Sequence, residues 1–201
     1  MSDFKQFERK PGVAGVYVTA YVYTDEAGSN LYRKVRCKTQ DPSRPKFFYF
    51  ERWENNIWRG KRPGEENILD GVRIVPYRLE YWFGKSTVIL CEGEKDADNV
   101  HALGWVTTSS PFGHNNWPPS ITPCFKDKLV FILYDVDHDG NNYPEKIAAT
   151  LYGTAREIRI CRFPNEDKLP HEYDVSDYLA EVPSGEYQRR GQVTRVRELL
   201  R

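Results

Sequence analysis

Two short apolar runs that each end in acidic residues constrain the fold of this chain more than any other feature. The first run, Thr87–Cys91, is followed by Glu92, and the second, Leu129–Tyr134, is followed by Asp135-Val136-Asp137. Short apolar runs bounded by charged residues are typical of buried strands. Each run precedes a helical pattern and then another extended segment, which is the order expected of a parallel sheet with crossover helices.

The N-terminal part has a different pattern, because aromatic and β-branched residues alternate in Val16–Thr24, and the alternation resumes in Leu31–Lys38 after a turn. Such alternation around a turn predicts a β-hairpin. The expected fold class is therefore α/β: a Rossmann-like parallel sheet with helices on both faces, preceded by a small antiparallel β subdomain. The expected parts are an N-terminal arm (1–15), a basic β-rich subdomain (16–85), an α/β domain (86–181) and a basic C-terminal tail (182–201).

Charge is unevenly distributed along the chain although its formal net charge is zero. Residues 1–85 contain 16 Lys and Arg against 11 Asp and Glu, residues 86–187 contain 8 against 17, and residues 188–201 contain 5 against 1. A basic N-terminal part beside an acidic middle part indicates two electrostatic roles, one toward polyanions and one toward cations.

Several classes of protein are disfavoured by composition. No apolar run approaches the roughly 20 residues that a membrane-spanning helix requires, and Met1–Lys5 lacks the layout of a secretion signal. The four cysteines are far apart and have no spacing typical of a zinc site. The sequence therefore predicts a cytoplasmic protein with reduced cysteines, without zinc and without a membrane partner.

The acidic residues that follow the two apolar runs predict a metal site. If both strands belong to one parallel sheet, Glu92, Asp135, Asp137 and Asp139 converge at one edge, where open α/β sheets bind ligands. Crowded carboxylates repel one another unless a cation neutralises them, and oxygen ligands favour Mg²⁺ or Mn²⁺ over zinc. The alternative is a solvated acidic loop.

Two other motifs are excluded. Asp135–Gly140 begins like an EF-hand loop, but Lys146 occupies the position that requires a bidentate Glu, and an apolar strand precedes it instead of a helix. Gly84–Thr87 is similar to the end of a P-loop, but Leu79 occupies the position of the first glycine.

The segments "VILCEGEKDADNVHALG" and "LVFILYDVDHDG" resemble the TOPRIM domain shared by primases, topoisomerases and some nucleases. The downstream segment "KLPHEYDVSDYLAE" resembles the acidic motif that ends this domain in phage-type primases. The β-rich segment before it is similar to the subdomain that precedes TOPRIM in phage and bacterial primases. The resemblance covers roughly residues 16–181.

The resemblance implies specific roles for acidic residues. Glu92 matches the family's acid–base and metal-associated Glu, and Asp135 and Asp137 match its metal ligands, so these three are the expected catalytic residues. The supporting acidic residues that it implies are Asp96, Asp174 and Asp177. For the last two, capping of the helix that follows is an equally weighted alternative.

Basic residues interleaved with aromatic ones in the β-rich part predict binding of single-stranded nucleic acid, through phosphate pairing and base stacking. The candidates for binding nucleic acid or nucleotide in this part are Arg33, Arg36, Lys38, Lys46 and Arg52, and Lys95, in the segment after Glu92, is a further candidate. Neighbouring residues on a strand point to opposite faces, so only part of this set can share one surface. The alternative is an aromatic core beneath a solvated charged face.

The resemblance implies a primase-like nucleotidyltransferase core that uses Mg²⁺ or Mn²⁺ to join ribonucleotides on single-stranded DNA. The sequence lacks the zinc-binding module of primases, so such a module or a helicase would be supplied in trans. Asn116 stands where related phage-type domains have Lys, which weakens the expectation of phosphate binding by its loop. The alternatives are a metal-dependent nuclease and a non-catalytic nucleic-acid-binding module.

Overall fold

The computed structural model describes residues 15–113, 116–136 and 142–201. It divides the chain into two compact units, of which the first ends at Glu80 and the second runs from Tyr81 to Arg201. Apart from Gly15, the predicted N-terminal arm lies outside the described residues.

The first unit contains an antiparallel sheet with the strand order β1-β2-β3-β4. Its strands are β1 (Gly15–Thr24), β2 (Asn30–Thr39), β3 (Lys46–Glu54) and β4 (Ile57–Arg59). The β1–β2 turn is stabilised by the Asp25 side chain, which accepts hydrogen bonds from the backbone N–H groups of Ala27 and Ser29. The predicted antiparallel subdomain is confirmed.

Buried aromatic side chains cover part of one face of this sheet. The ring of Tyr23 stacks on that of Tyr32 with centroids 4.5 Å apart, and the Tyr32 hydroxyl donates a hydrogen bond to the Val75 carbonyl. On the opposite face, Val35 and Phe47 belong to a second buried cluster. Because each face is covered over only part of its area, polar positions remain exposed on both.

The second unit contains a parallel sheet with the order β6-β5-β7-β8. Its strands are β5 (Thr87–Cys91), β6 (Thr107–Ser109), β7 (Leu129–Leu133) and β8 (Glu157–Ile160). The α-helices are α1 (Leu79–Trp82), α2 (Glu94–Ala102), α3 (Tyr143–Leu151), α4 (Val175–Ala180) and α5 (Gln188–Leu199), of which α1 begins two residues before this unit. A 3-10 helix spans Pro119–Phe125.

The strand order places a topological switch point between β5 and β7. From β5 the chain passes through α2 to β6 on one side, and from β7 it passes through α3 to β8 on the other. Because such crossovers are almost always right-handed, α2 and α3 cover opposite faces of the sheet. Ligands of open α/β sheets bind at the carboxyl ends of strands at this point. The predicted α/β fold class is confirmed.

The C-terminal segment adds helices to this unit. Helix α4 packs against α2, and α5 packs against α4. Arg189, near the start of α5, donates a hydrogen bond to the carbonyl of Ala102, the last residue of α2. Among the described residues, no helix has the length and apolar character needed to cross a bilayer.

Candidate active site and nucleic-acid interface

Glu92 and Asp135 meet at the carboxyl ends of β5 and β7. Cys91 pairs with Leu133 in the parallel register, so Glu92 directly follows one strand and Asp135 follows the other by two residues. The backbone N–H of Asp135 donates a 3.1 Å hydrogen bond to Glu92 Oε2. This contact fixes the Glu92 carboxylate at the switch point of the sheet.

The electrostatic environment of Asp135 is dominated by other carboxylates. Its pKa is raised well above the usual value, first by burial and then by the negative charges of Glu92, Asp96 and Asp174, while Lys95 opposes the shift. Like charges in a partly dry site disfavour a further ionised carboxylate. The carboxylates of Glu92, Asp96 and Asp174 therefore lie close enough to Asp135 to affect its ionisation. The sequence predicts this proximity for Glu92 and Asp135, and the resemblance implies it for Asp96 and Asp174.

Asp96 is buried in the first turn of α2. The Ser176 hydroxyl donates a hydrogen bond to its carboxylate. Burial, followed by the charge of Asp174, raises the pKa of Asp96 to about 6, although the Ser176 hydrogen bond and Lys95 act in the opposite direction. Asp96 is therefore held inside the protein by specific partners instead of projecting into solvent.

Asp174 and Asp177 form the N-terminal capping box of α4. The Asp174 carboxylate accepts a 2.8 Å hydrogen bond from the Asp177 N–H, and Asp177 accepts one from the Asp174 N–H. The capping alternative is thus what the structure shows for both residues. Asp174 is buried, whereas Asp177 is exposed.

Lys95 lies between two of these carboxylates. Its ammonium is 2.5 Å from Asp174 Oδ2 and 3.8 Å from Asp96 Oδ1. About two fifths of its side-chain surface is exposed (42%), so it also contacts solvent. The ammonium of Lys95 therefore neutralises part of the negative charge of Asp96 and Asp174. The sequence analysis predicted that Lys95 binds nucleic acid or nucleotide and did not predict this pairing.

The donor atoms at this edge fit a hard divalent cation. Glu92 and Asp135 supply carboxylate oxygens, the ligands that Mg²⁺ and Mn²⁺ prefer. Asp137 and Asp139, the other predicted ligands, lie outside the described residues. Within the described part of the chain, no three His, Cys, Asp or Glu side chains come close enough together to hold a metal ion.

Tyr143 is a neighbour of this site that the sequence prediction missed. It is buried at the start of α3, and its pKa is raised by burial and then by the charges of Glu92 and Asp135. Its position shortly after the acidic segment that begins at Asp135, at the first residue of α3, was the available signal. A neutral hydroxyphenyl group thus lies within electrostatic reach of both carboxylates.

Three of the predicted nucleic-acid-binding residues lie close together on one face of the antiparallel sheet. Arg36 and Lys38 are two residues apart on β2, and Lys46 lies directly opposite Lys38 on β3. Phe48 is opposite Arg36 on the same face, and its ring is 4.8 Å from the Lys34 ammonium. Among the described residues, no acidic side chain pairs with Arg36, Lys38 or Lys46. We call these three residues the basic face.

Arg33 and Arg52 have partners within the first unit. Arg33 points to the face opposite Arg36, where it pairs with Glu51 at 2.5 Å and lies 4.9 Å from the Trp58 ring. Arg52 donates a hydrogen bond to the carbonyl of Asp70. Both arginines therefore contribute to the structure of the unit. Arg33 lies on the opposite face, whereas Arg52 lies on the same face as Lys46, six residues further along β3.

Comparison with known proteins gives similarity at the level of the fold. No protein-family model matches the chain, and no curated protein matches its sequence. One similar solved chain belongs to the bacteriophage T7 complex of the lagging-strand DNA polymerase with primase domains of two gp4 subunits, bound to an RNA/DNA hybrid and dTTP. The TM-score is 0.52 at 16% identity, with 95% of this chain and 79% of that chain covered.

A second similar structure is the Aquifex aeolicus primase, comprising its zinc binding and RNA polymerase domains. The TM-score is 0.57 at 18% identity over 98% of this chain, which spans 43% of the Aquifex chain. At these identities the similarity concerns the fold. The two units of this chain therefore have the mixed α/β fold found in primase structures.

Proposed function

We propose that this chain is a primase-like nucleotidyltransferase core that joins ribonucleotides on a single-stranded DNA template, and that its second unit is a TOPRIM domain. The observation that carries the proposal is the Glu92–Asp135 contact at the switch point of a fold shared with primase structures. Two carboxylates at this position are suited to phosphoryl-transfer chemistry.

In this proposal Glu92 and Asp135 hold Mg²⁺ or Mn²⁺, and Asp137 and Asp139 are additional ligands. When bound, the ion would neutralise triphosphate charge and favour ionisation of the attacking 3′-hydroxyl. The raised pKa of Asp135 supports the assignment, because a carboxylate crowded by like charges gains most from a nearby cation.

Glu92 is the proposed proton acceptor for the attacking hydroxyl. The hydrogen bond from the Asp135 N–H restrains the orientation of its carboxylate, which favours a defined position relative to the reacting atoms. Lys95, Asp96 and Asp174 are proposed to shape the charge around this pair without contacting the reacting atoms.

The proposed template surface is the basic face of the first unit. Arg36, Lys38 and Lys46 can pair with phosphates, and Phe48 is an aromatic ring on the same face. The T7 structure, whose primase domains are bound to an RNA/DNA hybrid and dTTP, supports this choice of ligand classes. A zinc-binding module or a helicase acting in trans is the proposed partner.

Primer-synthesis and nuclease assays, run in parallel on single-stranded DNA with ribonucleotides and Mg²⁺ or Mn²⁺, test the proposal. We expect oligoribonucleotide products from the unmodified chain. We expect Glu92→Gln to reduce turnover on the order of a hundredfold or more while preserving the fold. Glu66→Gln is the matched control, because Glu66 is exposed. Cleaved DNA without primers would indicate a nuclease, and neither product would indicate a non-catalytic module.

A further inference from the structure

The outer side of α5 carries basic residues that the proposed active site does not use. Arg190, Thr194 and Arg197 are spaced by four and then three residues, which places them on one side of the helix. All three are exposed. The two arginines are seven residues apart, or about 10 Å along the helix axis. We call this surface the α5 stripe.

Other arginines of α5 stabilise the fold. Arg189 donates a hydrogen bond to the Ala102 carbonyl at 3.1 Å. Arg195 donates to the Tyr178 carbonyl, pairs with Glu181 at 2.6 Å and lies over the Tyr178 ring. In contrast, within the described residues, the guanidinium groups of Arg190 and Arg197 have neither a hydrogen bond nor an ion pair. Neither guanidinium group of the stripe is therefore held in an ion pair within the described part of the protein.

A groove of about 540 Å³ runs beside the stripe and shares Arg190 and Thr194 with it. Tyr187 lines the groove and is 70% exposed. A Cβ atom at Gly191 would lie 2.7 Å from Val182 Cγ1, so α5 packs closely against Val182, which also lines the groove. The groove thus combines an exposed aromatic ring with the guanidinium groups of Arg190 and Arg195 and with one carboxylate, that of Glu198.

We propose that the α5 stripe and its groove bind single-stranded nucleic acid, with Tyr187 stacking on a base and Arg190 and Arg197 contacting phosphates. Arginines without an ion pair beside an accessible aromatic ring match the two elements by which proteins hold single strands without sequence preference. An acidic protein segment would use the charges but would give Tyr187 no comparable role. The proposal rests on the proposed function and adds a second nucleic-acid-binding surface to it.

The surface is distinct from the acidic edge of the second unit. Helix α5 begins beside Ala102, at the end of α2, whereas the acidic edge lies at the beginning of α2 near Glu94. The nine residues of α2 separate these points by about 13 Å. A strand bound along α5 would therefore contact this unit outside the proposed catalytic centre.

Fluorescence anisotropy of a labelled oligodeoxynucleotide with the full chain, without ribonucleotides or added metal, tests the proposal. We expect Arg190→Gln/Arg197→Gln to weaken binding about tenfold or more and to reduce the log–log salt slope by about 1.4, since each phosphate contact contributes about 0.7 on a single strand. We expect Tyr187→Ala to weaken binding about tenfold, and Tyr187→Phe to bind like the unmodified chain because a phenyl ring also stacks.

Lys85→Gln/Lys126→Gln is the matched control, since it also removes two exposed charges from the second unit, outside the groove. The proposal is overturned if the arginine pair and the lysine pair have equal effects, or if Tyr187→Phe loses as much affinity as Tyr187→Ala. Co-sedimentation of the same variants with phosphatidylserine vesicles tests a lipid ligand: the proposal is also overturned if the arginine pair weakens vesicle binding and leaves oligodeoxynucleotide binding unchanged. Because this assay requires no catalysis, a failure of the proposed primer synthesis can be distinguished from a failure of the α5 stripe to bind nucleic acid.

Discussion

The ammonium of Lys95 lies 2.5 Å from Asp174 Oδ2 and thereby joins the first turn of α2 to the N-cap of α4. The other oxygen of the same carboxylate accepts the N–H of Asp177. Asp174 therefore has two separable roles: one oxygen caps a helix, and the other pairs with a cation beside the acidic edge.

Asp174→Asn and Asp174→Ala separate these two roles. Asn retains a capping oxygen, whereas Ala removes it, so we expect Ala to lower the free energy of unfolding by about 1 kcal/mol more than Asn does. The ion pair contributes little to this difference, because Lys95 is partly exposed. Urea denaturation measures both values. Equal losses for Asn and Ala would instead assign the stabilisation to the ion pair.

Asp96→Asn is expected to stabilise the protein in a pH-dependent way. The folded-state pKa of Asp96 is about 6, above its ordinary 3.8, so ionisation is less favourable in the folded protein. The stability associated with protonated Asp96 is present below about pH 4 and is lost as the pH rises through about 6. The advantage of Asp96→Asn over the unmodified chain should therefore be small at low pH and reach about 1–3 kcal/mol at pH 8.

Urea denaturation at pH 4.5 and pH 8 tests this prediction. Asp167→Asn is the control, because Asp167 is exposed and its replacement should change stability by a similar small amount at both pH values. An advantage of Asp96→Asn that is equal at both pH values would contradict the raised pKa and would indicate a change in packing or hydrogen bonding.

The strands could be predicted from the sequence because their apolar runs are short and bounded by charge. Thr87–Cys91 forms β5 as predicted, and the convergence of Glu92 with Asp135 follows from parallel pairing of two such runs. Helix α5 was not predicted, because only Val196 and Leu199 are buried within a largely polar segment. Its apolar side is too narrow to give a clear helical pattern.

Contacts between distant segments could not be predicted in this way. Lys95 and Asp174 are 79 residues apart, and their ion pair depends on the packing of α2 against α4. Similarly, alternation on β2 separates Arg33 from Arg36, but the pairing of Arg33 with Glu51 depends on the β2–β3 register. Sequence periodicity defines faces, whereas these partners are determined by tertiary structure.

Asp135→Asn tests the proposed metal site. The substitution removes a charge from a crowded cluster, so we expect higher thermal stability without metal. We also expect Mg²⁺ to stabilise this variant much less than the unmodified chain, because ligand-induced stabilisation follows affinity. Thermal unfolding with and without Mg²⁺ and titration calorimetry measure these effects, with Glu66→Gln as the control. Unchanged Mg²⁺ affinity in Asp135→Asn would remove Asp135 from the site.

Single replacements on the basic face should affect nucleic-acid binding and stability in opposite directions. Lys38 and Lys46 are exposed and directly opposite each other, so each is destabilised by its neighbour's charge. We expect Lys38→Gln or Lys46→Gln to raise the free energy of unfolding by about 0.2–1 kcal/mol and to reduce the log–log salt slope for single-stranded DNA by about 0.7. Fluorescence anisotropy and urea denaturation measure the two effects.

Arg33→Gln is the matched control for these two lysine variants, because it removes one positive charge from the opposite face of the same sheet. Arg33 pairs with Glu51, so its replacement leaves that carboxylate without this partner and should lower stability slightly while the salt slope stays unchanged. The lysine variants should therefore bind DNA less tightly although they are more stable, and Arg33→Gln should show neither effect. Equal slopes in all three variants would place the phosphate contacts elsewhere, because a charge that contacts DNA contributes to the salt dependence and a distant charge does not.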